Sequence, residues 1–456
     1  MVKNSLLFLF FFVFLFGSQD WVVKLDNHVW YESDFYRFFP ESDWKKVSDN
    51  NKKTKIVTGF LKQNIAAQKA LGLGLQYSQD VNLKLSARYK MLMVNEYYMR
   101  HFLSSLIPPS ALYFCGQNLK KDVFAKHILI KPLEGQTEDE ASLLKKATTI
   151  KDSILSGGSF EFFATQYSQD PSAQKNSGSL GWISIGQTVT EFQDALFGLC
   201  LGCVDVVKTD FGFHVVQVDS IRESKYNLLS QEEYDDYVFR FASSYITAPL
   251  KDVAAEHDSM LISTAGVVFD SLALIGVVDK IVAELKLKNG NRKDVDVIKI
   301  LKEDLGVVVK YNSNFLSSGW FANKIENSLH RSVFYASFEE IKKDFETILL
   351  RDIAYKKGVE LGLDSRFSFV SQFNPVRLGV LEKAYLSFLV SSVEKPTDKE
   401  IKDYFSLNKK GQDLNVAYKS IETILLQQKQ EAAKNLFFSS IENRENIIIN
   451  KEWFNE

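Results

Sequence analysis

Residues suited to covalent or metal chemistry are few in this chain. Three of its 456 residues are cysteine (Cys115, Cys200 and Cys203), too few for a disulfide framework. No second ligand pair stands at metal-binding spacing from Cys200 and Cys203, which excludes a zinc site built on them. Charge of one sign is also lacking: 55 basic against 57 acidic residues leave a formal net charge of −2, so no basic footprint points to nucleic acid. Proline is scarce (8) beside 36 phenylalanines, a balance that suits a Phe-rich core. There is no nucleophile elbow and no phosphate loop. Gly178-Ser-Leu-Gly181 lacks the strand-loop-helix context that a phosphate loop needs and reads as a turn.

What is present is globular: 45% apolar and 25% charged residues, over a length that predicts two or three units. One long apolar run occurs, Leu6 to Phe16, behind Lys3 and ahead of Gly17-Ser18. It is too short for a comfortable span and right for the core of an export signal, assigned here to residues 1–18. No stable membrane span is expected once it is cleaved. Cys200-Leu-Gly-Cys203 falls after the run FQDALFGL, in a helix-to-strand turn. Redox pairs instead open a helix, where the dipole lowers a thiol pKa, so a bridge or two small buried thiols is the expected role. A redox foldase using this pair is the remote alternative.

The chain repeats itself. VVKLDNHVWYESDF (22–35) parallels VVKYNSNFLSSGWF (308–321), and NIAAQKALGLGL (64–75) parallels DIAYKKGVELGL (352–363). Each copy predicts a hairpin turning at Asp26-Asn27 or Asn312-Ser313, then helices over 55–71, 86–106 and 376–392. Thr397-x-x-Glu400 reads as a capping box for a helix through Phe405. In the first copy a foreign segment intervenes before a return helix (231–256) and a strand in SMLISTAGVVF. In the second, a helix over 416–441 and a strand in NIIINKEWF follow directly. The expected domains are 19–124 (first helical module), 125–222 (insert), 223–270 (return helix and strand of the first copy), 271–306 (helical connector) and 307–456 (second module).

The insert predicts a strand over 124–130, a helix capped by Thr137-x-x-Glu140 and running to Leu155, short helices over 159–166 and 190–197, and a strand over 212–218. Antiparallel strands with helices packed on them make an α+β domain. Two histidines, His127 in AKHILI and His214 in GFHVVQV, sit in its apolar alternating runs, with the polar loop YSQDPSAQKNSGSLGW between them. A lone histidine on an apolar strand is usually a satisfied core residue. A pair accompanied by Asp170, GSLGW, Phe192 and TDFGFH is not a chance combination.

With these motifs, residues 125–218 resemble a parvulin-type peptidyl-prolyl cis-trans isomerase, of the kind carried by the SurA and PrsA extracytoplasmic chaperones. The resemblance implies an α+β parvulin domain inserted in a mainly helical, internally duplicated chaperone framework. It places His127 and His214 as the paired histidines behind the prolyl site, Thr209 as the hydroxyl completing their hydrogen-bond network, and Asp170 beside the amide that is twisted. Leu180 and Phe192 stand at the apolar walls that hold the proline ring. Thr188 stands at a wall position where relatives carry Met, making the pocket smaller and more polar. Phe211 stands where some relatives have Ser. No cofactor and no metal is implied.

Such a site needs no nucleophile. The X-Pro barrier is amide resonance, about 18–20 kcal/mol, and a site lowers it by binding the twisted amide better than either planar form. By resemblance the clients are unfolded, proline-containing polypeptides, envelope or outer-membrane proteins in the periplasm, gripped in an apolar groove between helices. A second reading keeps the parvulin fold as a peptide-binding platform without isomerisation.

Overall fold

A computed structural model describes residues 21–132, 138–311, 314–328, 333–408 and 413–455. The run at 1–18 read as an export signal, Thr137 and Asn312-Ser313 lie outside these residues. Within them, no helix is long and apolar enough to cross a membrane. The chain divides into two compact units, one built from residues up to Leu92 together with those from Ser365 onward, the other from Met93 to Asp364.

In the first unit, strands Trp21–Leu25 and His28–Tyr31 form a hairpin, turning at Asp26 with φ 54°. Its third strand is Ile447–Ile449, antiparallel to the first, with Val23 opposite Ile449 and Leu25 opposite Ile447. The chain after that strand dives under the hairpin. Trp453 is buried there, stacked on Trp44 at 4.8 Å and edge-on to Phe35 at 5.3 Å. Helix Asn50–Gly72 begins where the Asp49 side chain accepts from the Asn51 amide at 2.8 Å, an N-cap. Its Val57, Phe60, Leu61 and Ile65 recur at helical spacing and join this ring cluster. Farther along, Ala67 and Ala70 are small enough to pack against Leu381 of helix Phe367–Ser391, where Gln63 also donates to Glu382 at 3.1 Å.

The second unit repeats the plan. Strands Val307–Tyr311 and Asn314–Ser317 form its hairpin, and Val267–Phe269 is the third strand. Phe321 and Phe345 stack at 3.6 Å beneath it. Helix Phe338–Glu360 supplies Phe345, Ile348, Leu349 and Ile353 to that core. Residues 271–306 carry the helices Ser271–Leu287 and Val297–Glu303; the first buries Leu274, Val277, Val278 and Ile281.

The third strand of each sheet does not come from the copy that supplies its hairpin. The closing strands are exchanged: residues 223–270 deliver their strand to the hairpin of the second copy, and the second copy's terminal strand closes the first hairpin. Val267-Val268-Phe269 and Ile447-Ile448-Ile449 are equivalent apolar triplets, so either could pair with either hairpin. What distinguishes them is the Trp453-Phe454 pair that follows Ile449 and fills the first unit's core. Two local expectations also change. The return helix is broken in two, Gln231–Ala242 and Leu250–Thr264, with Pro249 at the second N-cap. Most of SMLISTAGVVF is the end of that second helix rather than strand.

The inserted domain is α+β. Its antiparallel sheet has the order Ser179–Ile183, Lys121–Ile130, Gly212–Glu223, Val204–Thr209, longer at both framing strands than expected. Helices Glu140–Leu155 and Phe160–Tyr167 cover one face through Leu143, Ala147, Ile150 and Phe160. The first of them is capped by Asp139, which accepts from the Ser142 amide at 2.8 Å. Helix Thr190–Gly198 covers the other face. That face continues into helices Pro109–Asn118 and Gln231–Ala242, whose Ala111, Cys115 and Ala242 share one core with Val123, Phe192 and Val216. The insert therefore leaves and re-enters the frame at one point, with Ser224 donating from its amide to Lys120 (2.9 Å) and from its hydroxyl to Leu119 (2.6 Å). It does not stop at its own strands.

Cys200 and Cys203 are joined in a disulfide across the turn after helix Thr190–Gly198. Cys115 is free and buried, and burial pushes its thiol up to about 11.

Candidate functional site

The two framing strands are neighbours, and their register puts His127 opposite Val216 and His214 opposite Leu129. Diagonal partners on one face of an antiparallel pair come within reach of each other. Accordingly His127 and His214 stack with rings 15° from parallel and Nδ1 to Nδ1 at 3.3 Å. Two glycines allow the surrounding backbone to close in. A Cβ at Gly178 (φ +81°) would lie 2.7 Å from the His127 carbonyl, and one at Gly212 (φ +134°) would lie 2.7 Å from that of Ile130.

From this pair a single line of hydrogen bonds runs in both directions. His127 Nε2 meets Asp170 Oδ2 at 2.6 Å. His214 Nε2 meets Thr209 Oγ1 at 2.8 Å, and the Phe211 amide donates to Thr209 Oγ1 at 3.1 Å. An ionised carboxylate only accepts, so His127 Nε2–H donates to Asp170. With both rings neutral, His214 Nδ1–H then donates to His127 and the Thr209 hydroxyl donates to His214. Every donor points the same way, toward Asp170. Phe192 stands edge-on to both rings, at 5.8 Å from His127 and 5.0 Å from His214.

The electrostatics agree with that proton order. Burial, helped by the neighbouring His127, pushes the His214 imidazole down to about 4, against a smaller upward pull from Asp170. Burial alone would raise Asp170. The hydrogen bonds from Ser172 and His127 overcome it and hold the carboxyl below the ordinary carboxylate range. A histidine whose folded pKa lies below its unfolded value stabilises the neutral folded form. Its contribution is complete above about pH 6.5 and is lost as pH falls toward 4. The urea midpoint of the inserted domain should therefore fall over that window, and a His214→Asn variant should show a shallower fall than its parent.

Of the positions singled out from the sequence, His127, Asp170, Thr209, His214 and Phe192 are brought together. Leu180 is half-buried against the core that contains Phe192. Phe211 reaches the network only through its backbone amide; its ring is 64% exposed. Thr188 is half-buried in the turn before Thr190–Gly198, and its hydroxyl oxygen is buried without a hydrogen-bond partner among the described residues. The sequence reading missed Ser168 and Ser172. Ser168 Oγ accepts from the amides of Leu129 (3.0 Å) and Asp170 (3.2 Å), tying the loop to the strand of His127. The Ser172 amide donates to Asp170 Oδ1 at 2.8 Å. The signal was there: Ser168-x-Asp170-x-Ser172 is the spacing of consecutive side-chain-to-backbone turns.

Residues 114–222 match the family model described as the PPIC-type PPIASE domain. Foldase protein PrsA of Geobacillus sp. (strain WCH70) is 41% identical over 118 residues, which are 25% of this chain and 39% of that protein. Chaperone SurA of Burkholderia pseudomallei (strain 1710b) is 42% identical over 107 residues, 23% of each. The chain thus matches well under half the length of these relatives. Among solved structures, a PpiC-type peptidyl-prolyl cis-trans isomerase domain aligns at 26% identity over 23% of this chain and 95% of its own, with a TM-score of 0.22. The peptidylprolyl isomerase PrsA from Bacillus cereus aligns at 18% identity over 54% of this chain and 93% of its own, with a TM-score of 0.27.

Proposed function

We propose that this chain, whose residues 114–222 are a PPIC-type peptidyl-prolyl isomerase domain, is an exported folding factor that isomerises X-Pro bonds and holds unfolded polypeptides. The observation that carries the catalytic half is the unbroken line from the Phe211 amide through Thr209, His214 and His127 to Asp170, backed by Phe192. In this reading the histidines orient. Their tautomers are fixed by the chain, and the low His214 pKa keeps that imidazole neutral. Asp170 is the carboxylate member. Its carboxylate disfavours negative charge on the nearby carbonyl oxygen, which weakens the amide resonance that resists rotation. Leu180, Thr188 and Phe192 would wall the proline ring, with Phe211 at the rim.

The holding half rests on the frame and on the similarity to proteins named foldase and chaperone. Periplasmic location and outer-membrane or envelope clients belong to the same proposal, motivated by the apolar run at 6–16 and those relatives. The test is a protease-coupled assay on the mature chain with a proline-containing peptide, run beside an aggregation-suppression assay. Acceleration over the uncatalysed rate together with suppression is the expected result. Suppression without acceleration would leave the domain as a peptide platform only.

A further inference from the structure

Helix Thr190–Gly198 has the histidine pair on one side and the frame on the other. Phe192 stands against His127 and His214. The next residue, Gln193, is 1% exposed and bonded at both ends of its amide. Its Oε1 accepts from the Gly186 amide at 2.5 Å, and its Nε2 donates to the Tyr245 hydroxyl at 2.9 Å. That hydroxyl donates in turn to Asp194 Oδ1. Tyr245 ends the short turn Ser243–Tyr245 behind helix Gln231–Ala242. It therefore belongs to the frame, beyond the family-matched residues 114–222. Phe241, from the same helix, lies on the turn that Gln193 holds: a Cβ at Gly186 (φ +87°) would lie 2.2 Å from its ring.

The order of donors along this second line is forced. The one O–H of Tyr245 is committed to Asp194, whose carboxylate accepts. Toward Gln193 the phenol oxygen can then only accept. This turns the NH2 end of the Gln193 amide to Tyr245 and its oxygen to Gly186. The reversed amide would face two acceptors at Tyr245 and two donors at Gly186, at a residue closed to water. Burial, with the bond to Asp194, pushes the Tyr245 phenol well above its ordinary pKa, so the proton that sets this order stays in place. The Gly186 turn carries Thr188, and the helix of Gln193 carries Phe192. Two of the three wall positions thus hang on one amide whose orientation the frame sets.

The geometry points to Tyr245 as a positioning residue of the prolyl site: by orienting the Gln193 amide it holds the Gly186 turn, and with it Thr188, at the distance from Phe192 that grips a proline ring. It acts through Gln193 and not on the amide that rotates. The inference rests on the isomerase reading and adds to it a part of the site supplied from outside the isomerase domain. Its kinetic signature follows from what the walls do. They grip the ring in the planar and the twisted amide alike, so loosening them raises KM. Asp170 acts on the twisted amide, so its loss lowers kcat.

The experiment uses the mature full-length chain and a proline-containing peptide, with kcat and KM measured separately. Tyr245→Phe keeps the ring and removes only the hydroxyl. It should raise KM about fivefold, the worth of one hydrogen bond, and leave kcat within about twofold. Hydrogen exchange at the Gly186 amide should quicken in the same variant. Gln193→Glu supplies the rescue, because a carboxylate offers an acceptor oxygen to Gly186 whichever way it is turned. In that background Tyr245→Phe should no longer raise KM. Three results would each overturn the inference: an unchanged KM in Tyr245→Phe, a fall in kcat at constant KM, which is the mark of a smaller folded fraction, or unaltered Gly186 exchange. A double variant as impaired as Tyr245→Phe, when Gln193→Glu alone matches the parent, would overturn it too. The first three readouts decide the question without the double variant. If the parent chain itself gives no acceleration, the isomerase reading falls and the inference with it; an active parent with an indifferent Tyr245→Phe removes the inference alone.

Discussion

Replacing Trp453 with alanine is expected to destabilise the unit that holds the N-terminal hairpin by about 3–5 kcal/mol. Trp453 is 2% exposed and meets Trp44, Phe35 and Tyr36 at ring distances of 4.8, 5.3 and 5.8 Å. Its indole N–H donates to Glu32 at 3.3 Å. Truncation leaves a cavity among rings that cannot collapse onto each other. The measurement is a urea titration, with amide exchange of Trp21–Tyr31 as the local readout. Protection of those amides should fall although the substitution is more than 400 residues away. Deleting the chain from Ile447 onward, strand and Trp453 together, should have the larger effect. If each copy closed its own sheet, neither change would alter exchange at the first hairpin. Isomerase activity under native conditions should be unchanged by Trp453→Ala, because the residues proposed as catalytic belong to the other unit.

Asp170→Ala is expected to lower kcat/KM for X-Pro isomerisation by about two orders of magnitude, the usual cost of removing one preorganised electrostatic group from a site. Asp170 is the carboxylate at the end of the hydrogen-bond line, and the backbone fixes it through the Ser172 amide. The same change leaves the His127 Nε2–H without its acceptor, which costs about 1–3 kcal/mol in stability. Asp170→Asn separates charge from shape. It restores an acceptor oxygen but no charge, so a loss close to that of alanine assigns the effect to the carboxylate's charge. A rate near the parent's would mean that Asp170 serves only to hold His127. Aggregation suppression should be unaffected in both variants, since client holding is placed on the frame.

Much of the inserted domain was legible because its signals are local. His127 and His214 sit in alternating apolar strands, and Gly178 of GSLG and Gly212 of FGFH stand where the backbone comes close. Phe192 lies one turn inside a helix with an apolar face. The Thr397 box also follows from spacing, and the structure has it: the Thr397 amide donates to Glu400 at 2.7 Å and the Glu400 amide to Thr397 Oγ1 at 3.3 Å. Other boundaries failed for identifiable reasons. A helix read as beginning at 376 in fact spans Phe367–Ser391 with Pro375 inside it; proline is a strong breaker in isolation, yet it removes only one hydrogen bond from a long packed helix. Ser168 went unnoticed because its importance comes from the strand it ties down, not from its neighbours in the chain.

The sequence by itself determined most of the helices and hairpins, that the frame is duplicated, and which residues make the isomerase-like constellation. These depend on periodicity, capping and turn chemistry within a few residues, or on motifs carried whole within one domain. Only the tertiary structure decided which closing strand meets which hairpin. Val267-Val268-Phe269 and Ile447-Ile448-Ile449 have nearly the same pairing tendency, so local energy cannot choose between hairpins. The choice falls to burial of Trp453 and Phe454 against Phe35, Trp44 and Phe60, contacts that exist only once the two ends of the chain have come together.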